Sequence, residues 1–67
     1  MTYAADSQAL QLQNAAYQAA CEEQVAMSQW MDGVITDSDY CAAMEAVEMA
    51  CQRAIAAGVS RRDLPAH

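Results

Sequence analysis

Apolar and polar positions follow the period of an α-helix in two long segments of this chain. From about residue 6 to 31, one broad face is apolar while Gln, Asn and Glu occupy the opposite side. From about residue 37 to 57, apolar residues recur at spacings of four and three, which is typical of a seam between packed helices. The seam residues are Tyr40, Met44, Val47, Cys51 and Ala54. Strand-favouring residues are sparse and nowhere alternate, so the pattern predicts an all-α fold.

The first helix has recognisable signals at both ends. Asp6 and Ser7 are both favourable N-cap residues, so we expect the helix to begin at one of them. It should end at Met31, because Gly33 suits the left-handed conformation that follows many helices.

The second helix is bounded just as clearly. Thr36 and Asp39 form a T-x-x-D pattern close to the usual capping box, and Gly58 supplies the stop. Residues 60–63 repeat the capping pattern as S-R-R-D, which predicts one short helical turn before Leu64-Pro65 ends it.

These elements predict one domain, residues 1–67, folded as an antiparallel helical hairpin with a tail over residues 58–67. The apolar arc of the first helix is wider than one partner helix would cover, since Leu10, Tyr17 and Cys21 extend it along one flank. We expect two hairpins to pair as a four-helix homodimer that shares a core. The alternative is that the wide arc docks a different protein.

Charge narrows the choice of partners. The first 52 residues carry eight acidic side chains and no base, and the net charge is -6. Such a chain repels nucleic-acid phosphates and anionic lipids, and it attracts a basic surface on another protein. No apolar run approaches the length of a membrane span, and the N-terminus lacks the basic region of a signal peptide. We therefore expect a cytoplasmic protein that binds neither nucleic acid nor membrane directly.

The candidate partner-binding residues combine acidic, aromatic and basic side chains. The acidic ones cluster at the predicted hairpin tip and on the outer side of the second helix. The alternative is a solvated face that only keeps the protein soluble. The candidates are Asp32, Asp37, Asp39, Glu45, Glu48, Trp30, Tyr17, Arg61 and Arg62.

Candidate chemistry is missing from the sequence. Cys21, Cys41 and Cys51 lack the spacing of zinc ligands, and the lone His67 is the last residue, so we expect no metal site and reduced structural thiols, buried or half-buried. No nucleophile, base and acid can be assembled into a catalytic set, and a bare hairpin offers no cavity of ligand size. We expect no cofactor and no enzymatic activity.

Glu23 is the one charged residue on the apolar arc of the first helix. An unpaired carboxylate there would be costly if it were buried. One interpretation is an edge residue that reaches water or a hydrogen-bond donor. The other is a specificity or partner contact at a subunit seam.

In size, acidity, helical-hairpin pattern and absence of chemistry, the chain resembles the small acidic proteins with which bacteriophages disable host machinery. These include anti-CRISPR proteins and quorum-sensing anti-activators. The first group implies an acidic plug on a basic surface of a CRISPR effector complex in a bacterial host. The second implies a small helical dimer that binds a transcription regulator, and a cellular dimerisation or adaptor module is the further alternative.

Overall fold

Two helices packed against each other make up most of the molecule, as the periodicity predicted. A computed structural model describes residues 3–65, and it describes side-chain environments for residues 7–65. Helix α1 spans Tyr3–Met31, helix α2 spans Asp37–Ala56, and a 3-10 turn, η1, spans Arg61–Asp63. The part of the chain that the structure describes contains no strand. The molecule measures 49 × 17 × 13 Å, so it is a slender hairpin.

Helix α1 begins earlier than its cap signals predicted. It starts at Tyr3, so Asp6 and Ser7 lie inside the helix, and the prediction of an N-cap at either residue was wrong. Ala4 and Ala5 explain the difference, because alanine has the highest helix propensity and nothing in this stretch opposes the helical conformation.

The turn between the helices is closed by backbone hydrogen bonds and a left-handed glycine. Gly33 has φ +78°, and the Val34 N–H donates to the carbonyl of Gln29 over 2.8 Å. The Gly33 N–H donates to the carbonyl of Trp30 over 3.1 Å, which completes a Schellman motif at the end of α1.

The predicted capping box at the start of α2 is confirmed. The Thr36 hydroxyl accepts from the Asp39 N–H over 3.1 Å, and the Asp39 carboxylate accepts from the Thr36 N–H over 3.3 Å. At the other end Gly58 has φ +99°, and the Val59 N–H donates to the Ala54 carbonyl, a second Schellman motif.

The core is small and lies at the end of the hairpin away from the turn. Ala16 of α1 and Ala54 of α2 are both fully buried, and such small side chains allow the two helices to approach closely. Leu64 packs against this pair, since the tail folds back after η1. Gln13 donates from Nε2 to the Asp63 carbonyl over 3.0 Å and holds the returning tail on α1.

The predicted seam of α2 does face inward. Val47 and Ala54 are buried, while Tyr40, Met44 and Cys51 are half-buried. Residue 57 follows the helix rather than belonging to it, a difference of one residue from the prediction.

Candidate functional site

An exposed acidic face runs along α2. Its residues recur every three or four positions, so they lie on one side of the helix, away from the Val47 seam. We call this set the acidic face: Asp37, Cys41, Glu45, Glu48 and Gln52. All five side chains are exposed. Glu45 and Glu48 are one turn apart, so their like charges add to the local negative potential.

The three carboxylates near the turn differ in their hydrogen bonds. Asp39 is committed to the capping box of α2, and Asp37 accepts a hydrogen bond at Oδ1 from the indole Nε1–H of Trp30. Asp32 lies in the turn itself and is exposed. Two of the three predicted turn carboxylates therefore stabilise the hairpin locally, although all three remain exposed to a partner.

The aromatic candidates separate into two kinds. The Trp30 ring stacks on Tyr40 of α2, with the ring centroids 4.9 Å apart and the planes inclined by 10°. Trp30 therefore links the two helices through this stack, and 40% of its surface is exposed. Tyr17 lies in the middle of α1 and is exposed.

The two arginines of η1 lie on the returning tail, which brings Arg61 toward α2. Both are exposed. Arg61 lines a cleft of about 190 Å³ together with Glu48, so the predicted basic end of the molecule lies beside one carboxylate of the acidic face. The remaining lining residues are Cys51, Gln52, Ile55, Leu64 and Pro65.

The cleft corrects the expectation of a bare hairpin, because the tail forms one of its walls. Its volume is below the roughly 300–1,000 Å³ of ordinary small-molecule sites, and it matches a single side chain of a partner better. A wider depression of about 490 Å³ lies beside Arg53 and Leu12. That depression is open to solvent, and its other lining residues, Gln8, Ala56 and Ala57, provide no acid and base pair.

Glu23 is half-buried on the face of α1 that meets α2. Among the described residues that are not exposed, no side-chain nitrogen or oxygen is sealed from solvent without a hydrogen-bond partner. The Glu23 carboxylate therefore avoids the cost of an unpaired buried charge, which agrees with an edge residue.

The cysteines are free thiols, but two of them are more accessible than expected. Cys21 and Cys41 are exposed, and only Cys51 is half-buried, so the expectation of buried or half-buried thiols was wrong for the first two. Their positions explain this, since Cys21 lies on the outer side of α1 and Cys41 on the acidic face. Within residues 3–65, no three His, Cys, Asp or Glu side chains gather closely enough to hold a metal ion.

Sequence reasoning missed the role of Leu64 and the cleft that it helps to form. The available signal was an apolar residue directly after a short predicted turn, which favours folding back onto a core. The turn forms over Arg61–Asp63, but the Ser60 side chain makes no capping hydrogen bond, so that part of the prediction was wrong. Its contact with Ala16 links residues almost fifty positions apart, and no local pattern encodes such a contact.

None of the described helices has the length and hydropathy needed to cross a membrane. No known protein family matches this chain. No curated protein matches it either. No solved structure resembles it closely enough to count as a match.

Proposed function

We propose that this protein is a non-enzymatic inhibitor that binds a host macromolecular assembly and covers a basic surface on it, as anti-CRISPR proteins do. The observation that carries the proposal is the acidic face of α2. Asp37, Glu45 and Glu48 are exposed on one side of a helix in which the first base is Arg53. The partner is a host protein with Lys- and Arg-rich surface, and the place of action is the bacterial cytoplasm.

Electrostatics supports this choice of partner. A net charge of -6 on a chain of 67 residues gives a strong negative potential, which speeds encounter with a basic surface and disfavours acidic ones. Surfaces that bind RNA or DNA are the most basic that a host assembly offers, and an acidic helix competes there by occupying phosphate sites.

The cleft beside Glu48 supports binding rather than chemistry. It is the size of one side chain, with Ile55 and Leu64 as apolar walls and Glu48 and Arg61 as charged ones. Such a cleft suits an anchoring side chain from the partner at the end of the acidic face.

The proposal includes self-association of two hairpins into a four-helix dimer. Only Ala16, Val47, Ala54 and Leu64 are buried apolar residues among those described, which is a small core even for a chain of this length. Exposed apolar side chains on α1 give a second copy a surface to cover.

The test is inhibition of CRISPR immunity with matched charge reversals. Bacterial hosts with active CRISPR systems are challenged with a targeted phage, with and without expression of the protein. The proposal expects plating to rise, and expects Glu48→Lys to remove most of the gain. Glu22→Lys, an equal charge change at an exposed site on α1, should leave the gain in place. Unchanged plating across the hosts, or equal effects of the two variants, would contradict the proposal.

An anti-activator would give a different result in the same variants. Its binding to a regulator would depend on apolar contacts, so Tyr17→Ala would matter more than Glu48→Lys. Tyr17→Ala disturbs the hairpin less than Trp30→Ala, because removal of Trp30 also removes the stack on Tyr40, and the dimer fraction of the variant is measured alongside. A dimerisation or adaptor module would change neither phage plating nor regulator output.

A further inference from the structure

Helix α1 carries two seams rather than one. The inner seam faces α2 and repeats at spacings of three and four: Ala9, Leu12, Ala16, Ala19, Glu23, Ala26 and Trp30. A second set repeats at spacings of four and three, centred about 140° further round the helix. We call this set the outer stripe: Leu10, Asn14, Tyr17, Cys21, Gln24, Ser28 and Met31. All seven of its side chains are exposed. A helix in a bundle contacts two neighbours through two such seams.

We propose that the outer stripe binds the outer stripe of a second copy, in an antiparallel pair with Cys21 next to its two-fold axis. This deepens the self-association included in the proposed function and rests on that part of it. The stripe holds Leu10, Tyr17 and Met31, whose exposed fractions are 56%, 46% and 74%, so three large apolar side chains of α1 are left uncovered by α2.

Charge identifies the second copy as the occupant. Two chains of charge -6 repel each other, so pairing is opposed least at a face without carboxylates. The outer stripe has none. Between Ser7 and Met31 the charged residues of α1 are Glu22 and Glu23, and both lie outside the stripe. A basic partner would gain nothing from this uncharged face, because its complement is the acidic face of α2.

The accessible area also matches a dimer. The chain exposes 4966 Å². A compact monomer of 7.2 kDa should expose roughly 4,100 Å² by the scaling of surface with mass. The excess is roughly 850 Å². The slender shape contributes to it, and it is large enough to include the ~800 Å² per partner that a standard interface covers.

The arrangement of the stripe fixes the register. An antiparallel pair covers the whole stripe only when Leu10 of one chain meets Met31 of the other, and Cys21 then lies at the midpoint. Two helices about 8–10 Å apart bring facing Cα atoms to about 4–6 Å, within reach of a disulfide.

The first experiment uses single-cysteine chains. The variant Cys41→Ser/Cys51→Ser keeps Cys21, and the matched control Cys21→Ser/Cys51→Ser keeps Cys41, which is also exposed. Both are treated with diamide, which accepts the two electrons and two protons released when two thiols join. The Cys21 chain should form covalent dimer faster by a factor on the order of ten or more, because pairing raises the effective concentration of its thiol. Equal rates would overturn the proposal.

The second experiment tests orientation on a chain with all three cysteines replaced by serine. Leu10→Cys and Met31→Cys chains are oxidised separately and as a mixture, and the products are identified by mass. The antiparallel pair places the two copies of residue 10 about 32 Å apart, so only the mixture should cross-link efficiently. Self-cross-linking of each variant would show a parallel pair and overturn the proposal.

These outcomes are separable from the proposed inhibitor. Cross-linking through Cys21 without any effect on phage plating keeps the antiparallel dimer and removes the inhibitor. Inhibition that depends on Glu48, with Cys21 and Cys41 cross-linking equally slowly, keeps the inhibitor and removes the dimer.

Discussion

Val47 shows how much of this hairpin depends on single residues. It is the largest side chain that the described part of the molecule buries completely, at 1% exposure. It lies in the middle of the α2 seam, between the Ala54 contact and the stack of Trp30 on Tyr40. The core of a chain this small rarely supplies more than about 3–5 kcal/mol, so the loss of one such side chain can unfold it.

Val47→Asp should therefore unfold the isolated protein. A carboxylate buried without a partner costs about 3–5 kcal/mol, which matches the whole free energy of folding. Met49→Asp is the control, because it makes the same change two residues away at a side chain that is 52% exposed. Circular dichroism during urea titration compares the two. A Val47→Asp protein as stable as Met49→Asp would show that the seam does not face α2.

The residue scale also shows what the sequence could and could not predict. The Thr36 capping box and the left-handed Gly33 were predictable, because each depends on groups within a few residues. The start of α1 was not, since Asp6 offers a cap but Ala4 and Ala5 favour a longer helix. A favourable N-cap contributes only about 1 kcal/mol, which is too little for the sequence pattern to fix where the helix begins.

At the scale of elements, the tail after α2 adds a core residue and a cleft to the pair of helices. It leaves α2 through the Schellman motif at Gly58, forms η1 and places Leu64 on the Ala16–Ala54 contact. Its return builds the cleft and brings Arg61 beside Glu48. This placement depends on contacts distant in sequence, which is why the helices and the acidic face could be predicted and the cleft could not.

Leu64→Ala should destabilise the protein by about 2–3 kcal/mol, because it removes most of a buried side chain and leaves a cavity at the core. Val34→Ala, at a side chain that is 69% exposed, should change stability by less than about 0.5 kcal/mol. Urea unfolding at one protein concentration gives both values. Equal stability of the two variants would mean that the tail is not held on the helices.

At the scale of the whole molecule, the net charge acts in opposite directions on the proposed homodimer and on the proposed complex with a basic partner. The proposed dimer joins two copies of charge -6 through an uncharged stripe, so long-range electrostatic repulsion opposes pairing and apolar contact favours it. The proposed inhibitory complex joins the acidic face to a basic surface, so long-range electrostatic attraction favours it.

Salt should therefore shift the two equilibria in opposite directions. Raising the ionic strength shortens the Debye length from about 10 Å at 0.1 M to about 3 Å at 1 M, which weakens both repulsion and attraction. The homodimer should become tighter, seen as a larger dimer fraction in sedimentation equilibrium, and the complex with a basic partner should become weaker. Tyr17→Glu places a carboxylate on the outer stripe and should reduce dimer at every salt concentration. If salt instead dissociated the homodimer, the two copies would be held by ion pairs, and the outer stripe would not be the interface.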